Sequence, residues 1–366
     1  MPVERAWVAQ SDVGSRDGWT VGAPGLARIA WSGTPSAASW WLPAALRPVT
    51  RTVINLVCAA GERRLRHDPR TIGQWAVWPK LVTFDNAIGR VMRPPKGTAT
   101  APVELVDCRA EWVRAAGVRP GGRVVLYFHG GAFIAGGLGS HRQMTARISA
   151  EADASVLNVA YRMLPQWTIE DAIDDGVAAY RKLLADGIEP ARIVIGGDSA
   201  GGGLAFLVAC ALREQGLARP AAIVALSPWA YLDLSDMHAH PTASRDLLAL
   251  PRLAQLVTAL LNRSRPLDQV PSPANCDLRG LPPVLIHAGT KETLEPDAVK
   301  LTERLAASGV PVEFKRWRGQ VHVFQFTAGV VAEGRQALRE IGDFIKQFTA
   351  DGAAVDIPGT AAMTGH

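Results

Sequence analysis

One serine of this chain stands in the pattern Gly-x-Ser-x-Gly, which spans Gly197–Gly201. The β-branched run Ile193–Ile195 precedes the pattern, and an apolar helical segment that includes Leu204 follows it, so the residues predict a strand, a tight turn and a helix start. Such a turn holds Ser199 at its apex, and the helix directs its free N–H groups and positive dipole end toward whatever binds there. The pattern therefore predicts that Ser199 is a nucleophile for acyl transfer.

A serine hydroxyl is a weak nucleophile at neutral pH, so the site also needs a base and an acid that orients the base. With this serine motif the acid and then the histidine follow in the chain, each on a loop after a strand. Of the eight histidines, His322 alone lies in the loop after the last predicted strand, Val312–Trp317. We therefore predict that His322 is the general base.

Three carboxylates compete for the role of the orienting acid. Glu292, Glu295 and Asp297 all follow the predicted strand over residues 283–288. Glu292 comes first after the strand, whereas Asp297 follows Pro296 and suits the first turn of a helix, where a carboxylate is expected anyway. We favour Glu292, with Asp297 as the alternative.

Donors for an oxyanion are expected in the stretch His-Gly-Gly-Ala over His129–Ala132, which follows a predicted strand. Glycines there let backbone N–H groups approach a carbonyl oxygen closely. The predicted donors are Gly130 and Gly131, with Ala200 as the third. The alternative is a tight turn that binds no ligand.

Strands and helices alternate over residues 101–348, which indicates an α/β fold with a mostly parallel sheet and helices on both faces. The alternation breaks over about 233–275, where we predict a helical insertion above the carboxyl ends of the strands. The breaker-rich stretch Pro94–Pro102 is the predicted linker, and residues 349–366 are a predicted disordered tail.

Residues 1–100 differ in composition from the rest of the chain and hold most of the tryptophans. One helix is predicted in it, with apolar residues on a single face: Leu42, Leu46, Val49, Val53, Leu56, Val57 and Ala60. We expect this face to pack on the catalytic domain, so that the region is a helical cap. The alternative is an interfacial helix at a lipid surface.

Composition sets limits on the remaining function classes. The 366 residues carry a net charge of +5, without a Lys/Arg block that alternates with aromatics, which argues against nucleic-acid binding. The four cysteines lack metal-ligand spacing, so we expect reduced thiols. Acyl transfer through a serine needs neither a metal nor an organic cofactor, and we expect neither. No signal peptide or membrane-spanning run is evident. We expect a cytoplasmic protein with a peripheral membrane contact as an open alternative, and the sequence leaves monomer and homodimer open.

Together with the serine pattern, several further motifs resemble the hormone-sensitive-lipase family of α/β hydrolases: His129–Phe133, Tyr161–Pro165, Ser227–Trp229 and Gly319–His322. The resemblance covers about 105–348 and implies the α/β-hydrolase fold, a cap over the acyl pocket and hydrolysis of carboxylic esters. It also implies Glu292 as the acid and Gly130, Gly131 and Ala200 as oxyanion donors. Ala132 and Gln166 depart from the family's usual Gly and Glu. The first hundred residues, which would shape the acyl pocket, match the family poorly, so the resemblance does not imply an acyl preference.

The expected reaction is hydrolysis of small-molecule esters, with short- to medium-chain acyl groups or lipid esters, through an acyl-enzyme. The same site could instead serve amides or lactones. A small-molecule receptor of the same fold is the alternative from another class, but the presence of His322 with Ser199 argues against it.

Overall fold

The computed structural model describes residues 27–32, 35–67, 85, 87–120, 122–263, 265–349 and 364–365. Its strands are β1 (Ala27–Trp31), β2 (Ala99–Glu104), β3 (Arg109–Arg114), β4 (Arg123–Phe128), β5 (Ala154–Ala160), β6 (Ile193–Asp198), β7 (Ala222–Leu226), β8 (Val284–Gly289), β9 (Val312–Trp317) and β10 (Thr364–Gly365). Its helices are α1 (Ala37–His67), α2 (residues 87–91), α3 (Leu138–Ala152), α4 (Ile169–Ala185), α5 (Ala200–Glu214), α6 (Ser235–Ala239), α7 (Leu250–Leu261), α8 (Glu295–Ala307) and α9 (Ala332–Phe348).

The described strands form one sheet in the order β1-β9-β8-β7-β6-β4-β5-β3-β2-β10. Every neighbouring pair from β1 to β5 in that order is parallel, and the pairs beyond β5 are antiparallel. Parallel strands place their carboxyl ends at one edge of the sheet, so the loops after β6, β8 and β9 lie near one another. The prediction of a mostly parallel sheet is confirmed.

Alternate residues of the central strand β4 belong to different apolar cores. Val124, Leu126 and Phe128 pack in the cluster that includes residues of α4, α5 and α8. Val125 and Tyr127 pack in a second cluster, with residues of α3 and α9. Because successive side chains of a strand point to opposite faces, helices cover both faces of the sheet, as predicted.

Three predicted boundaries differ from the structure. The region over 1–100 is not wholly outside the sheet, because β1 pairs in parallel with β9. Part of the predicted linker is strand β2, which pairs with β3. Of the predicted disordered tail, Thr364 and Gly365 pair with β2, while residues 350–363 and 366 lie outside the described residues. Within the predicted insertion over 233–275, the described residues hold α6 and α7 and no strand.

The predicted helix in the N-terminal region is present as α1, but it packs by the opposite face from the one expected. Leu46, Val49 and Leu56 are exposed, whereas Ile54 and Cys58 pack with the core. The inward face is largely polar, and it is held by hydrogen bonds to the segment just before α7. Among the described residues, no helix is long and apolar enough to cross a membrane.

Candidate active site

Ser199 lies in the tight turn between β6 and α5, at φ 53° and ψ −120°. A Cβ atom on Gly197 would collide with the carbonyl oxygen of Gly201, and one on Gly201 would collide with the carbonyl oxygen of Phe128. Both glycines are therefore needed for the backbone to pass, and the strained turn presents the serine at the carboxyl edge of the sheet.

Ser199, His322 and Glu292 form one hydrogen-bonded line. The Ser199 Oγ is 3.0 Å from His322 Nε2, and His322 Nδ1 is 2.7 Å from Glu292 Oε2. The other carboxylate oxygen of Glu292 accepts the N–H of Gly289 at 2.8 Å. With the Nδ1–H donated to the carboxylate, Nε2 is left to accept the serine proton. All three side chains of this line are buried.

Burial of His322 disfavours its charged form and by itself would lower its pKa. The hydrogen bond and the negative charge of Glu292, with the charges of Asp246 and Asp198, outweigh burial and hold the pKa of His322 above its ordinary value of 6.5. The charged form of the imidazole is thus stabilised at this position.

The two other candidate acids have different partners. One carboxylate oxygen of Asp297 accepts the N–H groups of Ala230 (3.1 Å) and Tyr231 (2.9 Å), and burial raises its pKa to about 7. Glu295 accepts a hydrogen bond from the Arg316 guanidinium at 2.7 Å. Of the three, the structure places Glu292 on the imidazole.

The loop after β8 and the loop after β9 are tied to each other by backbone hydrogen bonds. Thr290 N donates to Trp317 O at 3.0 Å, and Lys291 N donates to Gln320 O at 2.9 Å. Ser227, at the end of β7, accepts the N–H of Val323 on its hydroxyl at 3.1 Å. These contacts fix Glu292 and His322 relative to each other. The contact of Ser227 with Val323 was signalled in the sequence by the motif Ser227–Trp229, which follows a strand.

The stretch predicted to supply oxyanion donors lies beside the nucleophile turn, but Gly130 is engaged elsewhere. Its N–H donates to the carboxylate of Asp198 at 3.0 Å, so this predicted oxyanion donor already has an acceptor in this structure. Among the described residues, none accepts a hydrogen bond from the N–H of Gly131, Ala132 or Ala200. Ala132 has a φ of 55°, and sequence reasoning treated it only as a departure from a glycine.

Asp198 is a buried anchor for this stretch. Its carboxylate also accepts the hydroxyl of Tyr127 at 2.9 Å and lies 3.4 Å from His141 Nε2. Burial would raise its pKa, but His141 and the hydrogen bond from Tyr127 reverse the effect, and the pKa of Asp198 is lowered. The ionised carboxylate therefore holds the turn at Gly130.

Asp246 is a buried acid near the site that sequence reasoning missed. Its Oδ1 accepts the N–H groups of Leu248 and Leu250, and Thr293 Oγ1 lies 3.4 Å from its Oδ2. Its carbonyl oxygen accepts Arg51 Nη1 of α1 at 2.8 Å. Asp246 thus connects α1 to the loop that carries Glu292. No local pattern marks this connection, because Arg51 and Thr293 are distant from Asp246 in the chain.

The start of α1 also contacts the loops that hold the acid and the histidine. The Pro35 ring lies against Gly319, and Lys291 Nζ lies 3.0 Å from the centroid of the Trp40 ring. Ser36 donates its hydroxyl to Glu333 of α9 at 2.8 Å. The described part of the N-terminal region is therefore packed directly on the catalytic loops. Within the described residues, no group of three or more His, Cys, Asp or Glu side chains could hold a metal ion.

Comparison with known proteins identifies the fold and the family of this chain. Residues 125–326 match the family model described as alpha/beta hydrolase fold. The chain is 40% identical over 284 residues to esterase LipU of Mycobacterium tuberculosis, covering 75% of this chain and 95% of that protein. It is 36% identical over 340 residues to carboxylesterase/phospholipase LipF of the same organism, covering 87% of this chain and 89% of LipF.

A solved esterase from the bacterial hormone-sensitive lipase family superposes on the structure with a TM-score of 0.69. The two chains are 34% identical, and the match covers 81% of this chain and 98% of that one. The mostly parallel sheet, the serine turn and these relatives lead to one assignment. The chain belongs to the hormone-sensitive-lipase family of α/β hydrolases and is a carboxylic ester hydrolase.

Proposed function

We propose that the protein hydrolyses carboxylic esters through an acyl-enzyme on Ser199, with His322 as general base and Glu292 as the orienting acid. The hydrogen-bonded line of these three side chains, at 3.0 Å and 2.7 Å, is the observation that carries the proposal. It is the arrangement that a serine needs to become a nucleophile at neutral pH.

In the acylation step, Ser199 Oγ attacks the ester carbonyl carbon while His322 Nε2 takes the hydroxyl proton. The imidazolium is stabilised by Glu292, which keeps its negative charge throughout. The tetrahedral oxyanion is bound by the N–H groups of Gly131, Ala132 and Ala200, which have no other acceptor among the described residues. His322 then protonates the departing alcohol, and the acyl group stays on Ser199.

In the deacylation step, water takes the place of the alcohol. His322 removes a proton from the water as it attacks the acyl carbon, and then returns the proton to Ser199 Oγ as the acid is released. The expected result in rapid mixing with p-nitrophenyl butyrate is a burst of p-nitrophenol that is stoichiometric with the enzyme. Acid quenching should leave a butyryl group on the peptide that contains Ser199. Turnover of p-nitrophenyl butyrate by Ser199→Ala at the rate of the unsubstituted protein would contradict the proposal.

The substrate range is proposed from relatives together with the structure. LipF is named a carboxylesterase and phospholipase, which supports lipid esters as well as short acyl esters. A series of p-nitrophenyl esters from acetate to palmitate, run beside the matching p-nitroanilides and a lactone, measures the preference. We expect the short- and medium-chain esters to be turned over fastest. Faster turnover of the anilides or the lactone would instead favour an amide or lactone hydrolase.

We also propose that α1 and the insertion over 233–275 together cap the acyl pocket. Thr50 Oγ1 donates to Leu247 O at 2.7 Å, and Arg252 of α7 lies 3.4 Å from Glu62 of α1. These bonds join the two segments into one layer, and Pro35 and Trp40 hold that layer on the catalytic loops. Such a layer excludes water from the acyl-enzyme.

The outward face of α1 is proposed to contact a lipid surface. Between Ala37 and Ala60 its exposed large side chains are all apolar: Trp40, Trp41, Leu46, Val49, Val53 and Leu56. The charged residues of that span, Arg47 and Arg51, are half-buried, and exposed Arg63 follows it. An exposed apolar face with the exposed cation Arg63 beyond its end suits an anionic lipid interface.

Flotation of the intact protein with vesicles of phosphatidylglycerol and phosphatidylcholine tests this contact. We expect binding that weakens with salt and is lost in a Val49→Glu/Leu56→Glu variant, with unchanged hydrolysis of soluble p-nitrophenyl acetate. Thr52→Glu, on the same face but at a polar position, is the matched control and should weaken binding less. A protein that does not float with the vesicles would contradict the lipid contact. If the protein is instead a dimer that the Val49→Glu/Leu56→Glu variant dissociates, the lipid contact is also contradicted, and the face is assigned to a second copy of the chain.

A further inference from the structure

Two cysteines outside the catalytic line lie in contact. Cys210 is on α5, and Cys276 is in the segment that leads from the insertion to β8. Their Sγ atoms are 3.3 Å apart, with the thiol of Cys210 donating to the sulfur of Cys276. Both are free thiols in this structure, with Cys210 buried and Cys276 half-buried. A small oxidant can therefore approach the pair from the Cys276 side.

The backbone around Cys276 is held in place by side chains. Arg304 of α8 donates to the carbonyl oxygen of Cys276 at 3.1 Å and also to that of Pro273. The Asn275 amide donates to the carbonyl oxygens of Val270 (2.8 Å) and Asp268 (3.0 Å). The contact between the two sulfurs is thus maintained by a fixed segment on one side and a helix on the other, which holds the thiols beside each other for bond formation.

The pKa of the Cys276 thiol is shifted in the opposite direction from the pKa values of Cys58 and Cys108. The hydrogen bond from Cys210, with Arg304 and Arg213 nearby, lowers the pKa of the Cys276 thiol against the effect of burial. Burial raises the pKa of Cys58 to about 11 and that of Cys108 to about 12. Because the thiolate is the reactive form, Cys276 is the cysteine suited to react first.

We propose that Cys210 and Cys276 are a redox pair that closes to a disulfide in the presence of a peroxide. The Cys276 thiolate attacks one peroxide oxygen, so that an S–O bond forms, the O–O bond breaks and hydroxide leaves. Cys210 then attacks the sulfenic sulfur of Cys276; the S–S bond forms, the S–O bond breaks, and the second hydroxide takes the Cys210 proton. Two thiols lose two electrons, one hydrogen peroxide becomes two waters, and a thiol reductant reverses the reaction.

The disulfide would connect the nucleophile helix α5 to the segment that precedes β8. The Pro273 ring lies beside Gly203, one turn after Ser199, where a Cβ on the glycine would be 3.8 Å from Pro273 Cγ. A covalent bond at Cys210 therefore adds a second anchor along α5 between Ser199 and the end of the helix. Because it restricts the unfolded chain without touching the reacting atoms, it should slow thermal inactivation and leave ester turnover unchanged.

The experiment treats the fully reduced protein with hydrogen peroxide, blocks the remaining thiols with iodoacetamide and maps peptides without reduction. We expect one cross-linked peptide pair containing Cys210 and Cys276, with Cys58 and Cys108 alkylated. Dithiothreitol should restore both thiols. The oxidised protein should show a melting temperature higher by several degrees and undiminished turnover of p-nitrophenyl butyrate.

Single variants test the order of the two steps. In Cys210→Ala, dimedone should trap a sulfenic acid on Cys276, whereas in Cys276→Ala it should leave Cys210 unlabelled. Cys108→Ala is the matched control and should oxidise like the unsubstituted protein. Unsubstituted protein in which Cys276 remains fully alkylated after peroxide, or in which the cross-link involves Cys58 or Cys108, would overturn the proposal.

Discussion

Glu292 and Asp297 follow the same strand, but their carboxylates bind different groups. Glu292 Oε2 is 2.7 Å from His322 Nδ1, whereas Asp297 Oδ2 accepts the N–H groups of Ala230 and Tyr231. One carboxylate is hydrogen-bonded to the imidazole, and the other ties α8 to the segment after β7. Substitutions of Glu292 and of Asp297 can therefore be compared to test which carboxylate acts on His322.

Glu292→Gln should lower kcat about 10²- to 10⁴-fold with little change in KM, because it removes the orientation of His322 and not a substrate contact. Asp297→Asn keeps an oxygen that can accept the two N–H groups and should retain kcat within a few-fold. Steady-state kinetics with p-nitrophenyl butyrate provides the measurement. A larger loss in Asp297→Asn than in Glu292→Gln would make Asp297 the orienting acid.

The pH dependence of kcat/KM should follow the ionisation of His322. The base must be neutral to accept the serine proton, so kcat/KM should rise with pH through a pKa above the ordinary 6.5. In Glu292→Gln the effect of burial is no longer opposed by a neighbouring carboxylate hydrogen bond. The acidic limb of that variant should therefore move to lower pH, as the plateau falls. A limb that stays in place would show that Glu292 does not control this pKa.

Gly131→Ala should lower kcat by about 10²- to 10³-fold, the range for loss of one oxyanion donor. Its φ is 123°, and a Cβ there would collide with the carbonyl oxygen of Ala135, so the backbone that presents the N–H must move. Gly122→Ala is the control, because a Cβ at Gly122 meets nothing within 4 Å. Circular dichroism should show both variants folded. Equal kcat values for the two variants would exclude Gly131 as a donor.

Deletion of residues 1–94 should give protein that is insoluble, or soluble with an altered acyl-length preference. The deletion removes β1 from the side of β9 and removes the contacts of Pro35 and Trp40 on the catalytic loops. Solubility, gel filtration and the p-nitrophenyl ester series measure the outcome. A soluble monomer with the ester profile of the intact protein would rule out the cap.

The central site was predictable from sequence because its signals are local. The strand, the glycines and the helix start around Ser199 together predict the tight turn that the structure shows. His322 follows the strand Val312–Trp317, which was predicted with its observed bounds. Between Glu292 and Asp297, position after the strand favoured the residue that the structure places on the imidazole. The antiparallel strand β3 was missed because its sequence, RAEWVR, carries three charges in six residues, and its pairing with β5 supplies the stability that its pattern does not show.

Other features depend on contacts between distant residues and were not predictable. The periodicity of α1 identifies an apolar stripe, but the helix packs by the opposite face, because Thr50 and Arg51 find acceptors at Leu247 and Asp246. The N–H of Gly130 was predicted to bind an oxyanion, and only the fold shows that Asp198 occupies it. The spacing of residues along a helix indicates which side chains share a face. Which face packs on the protein depends on the tertiary structure.

The most direct test of the account is covalent labelling of the intact protein with a fluorophosphonate. One phosphonyl group should add per chain, on the peptide that contains Ser199, in parallel with the loss of ester turnover. Ser199→Ala should fold normally, remain unlabelled and lose turnover by several orders of magnitude, because no second hydroxyl can form the acyl-enzyme. Full labelling of Ser199→Ala, or ester turnover in it close to that of the unsubstituted protein, would contradict the assignment of Ser199 as the nucleophile.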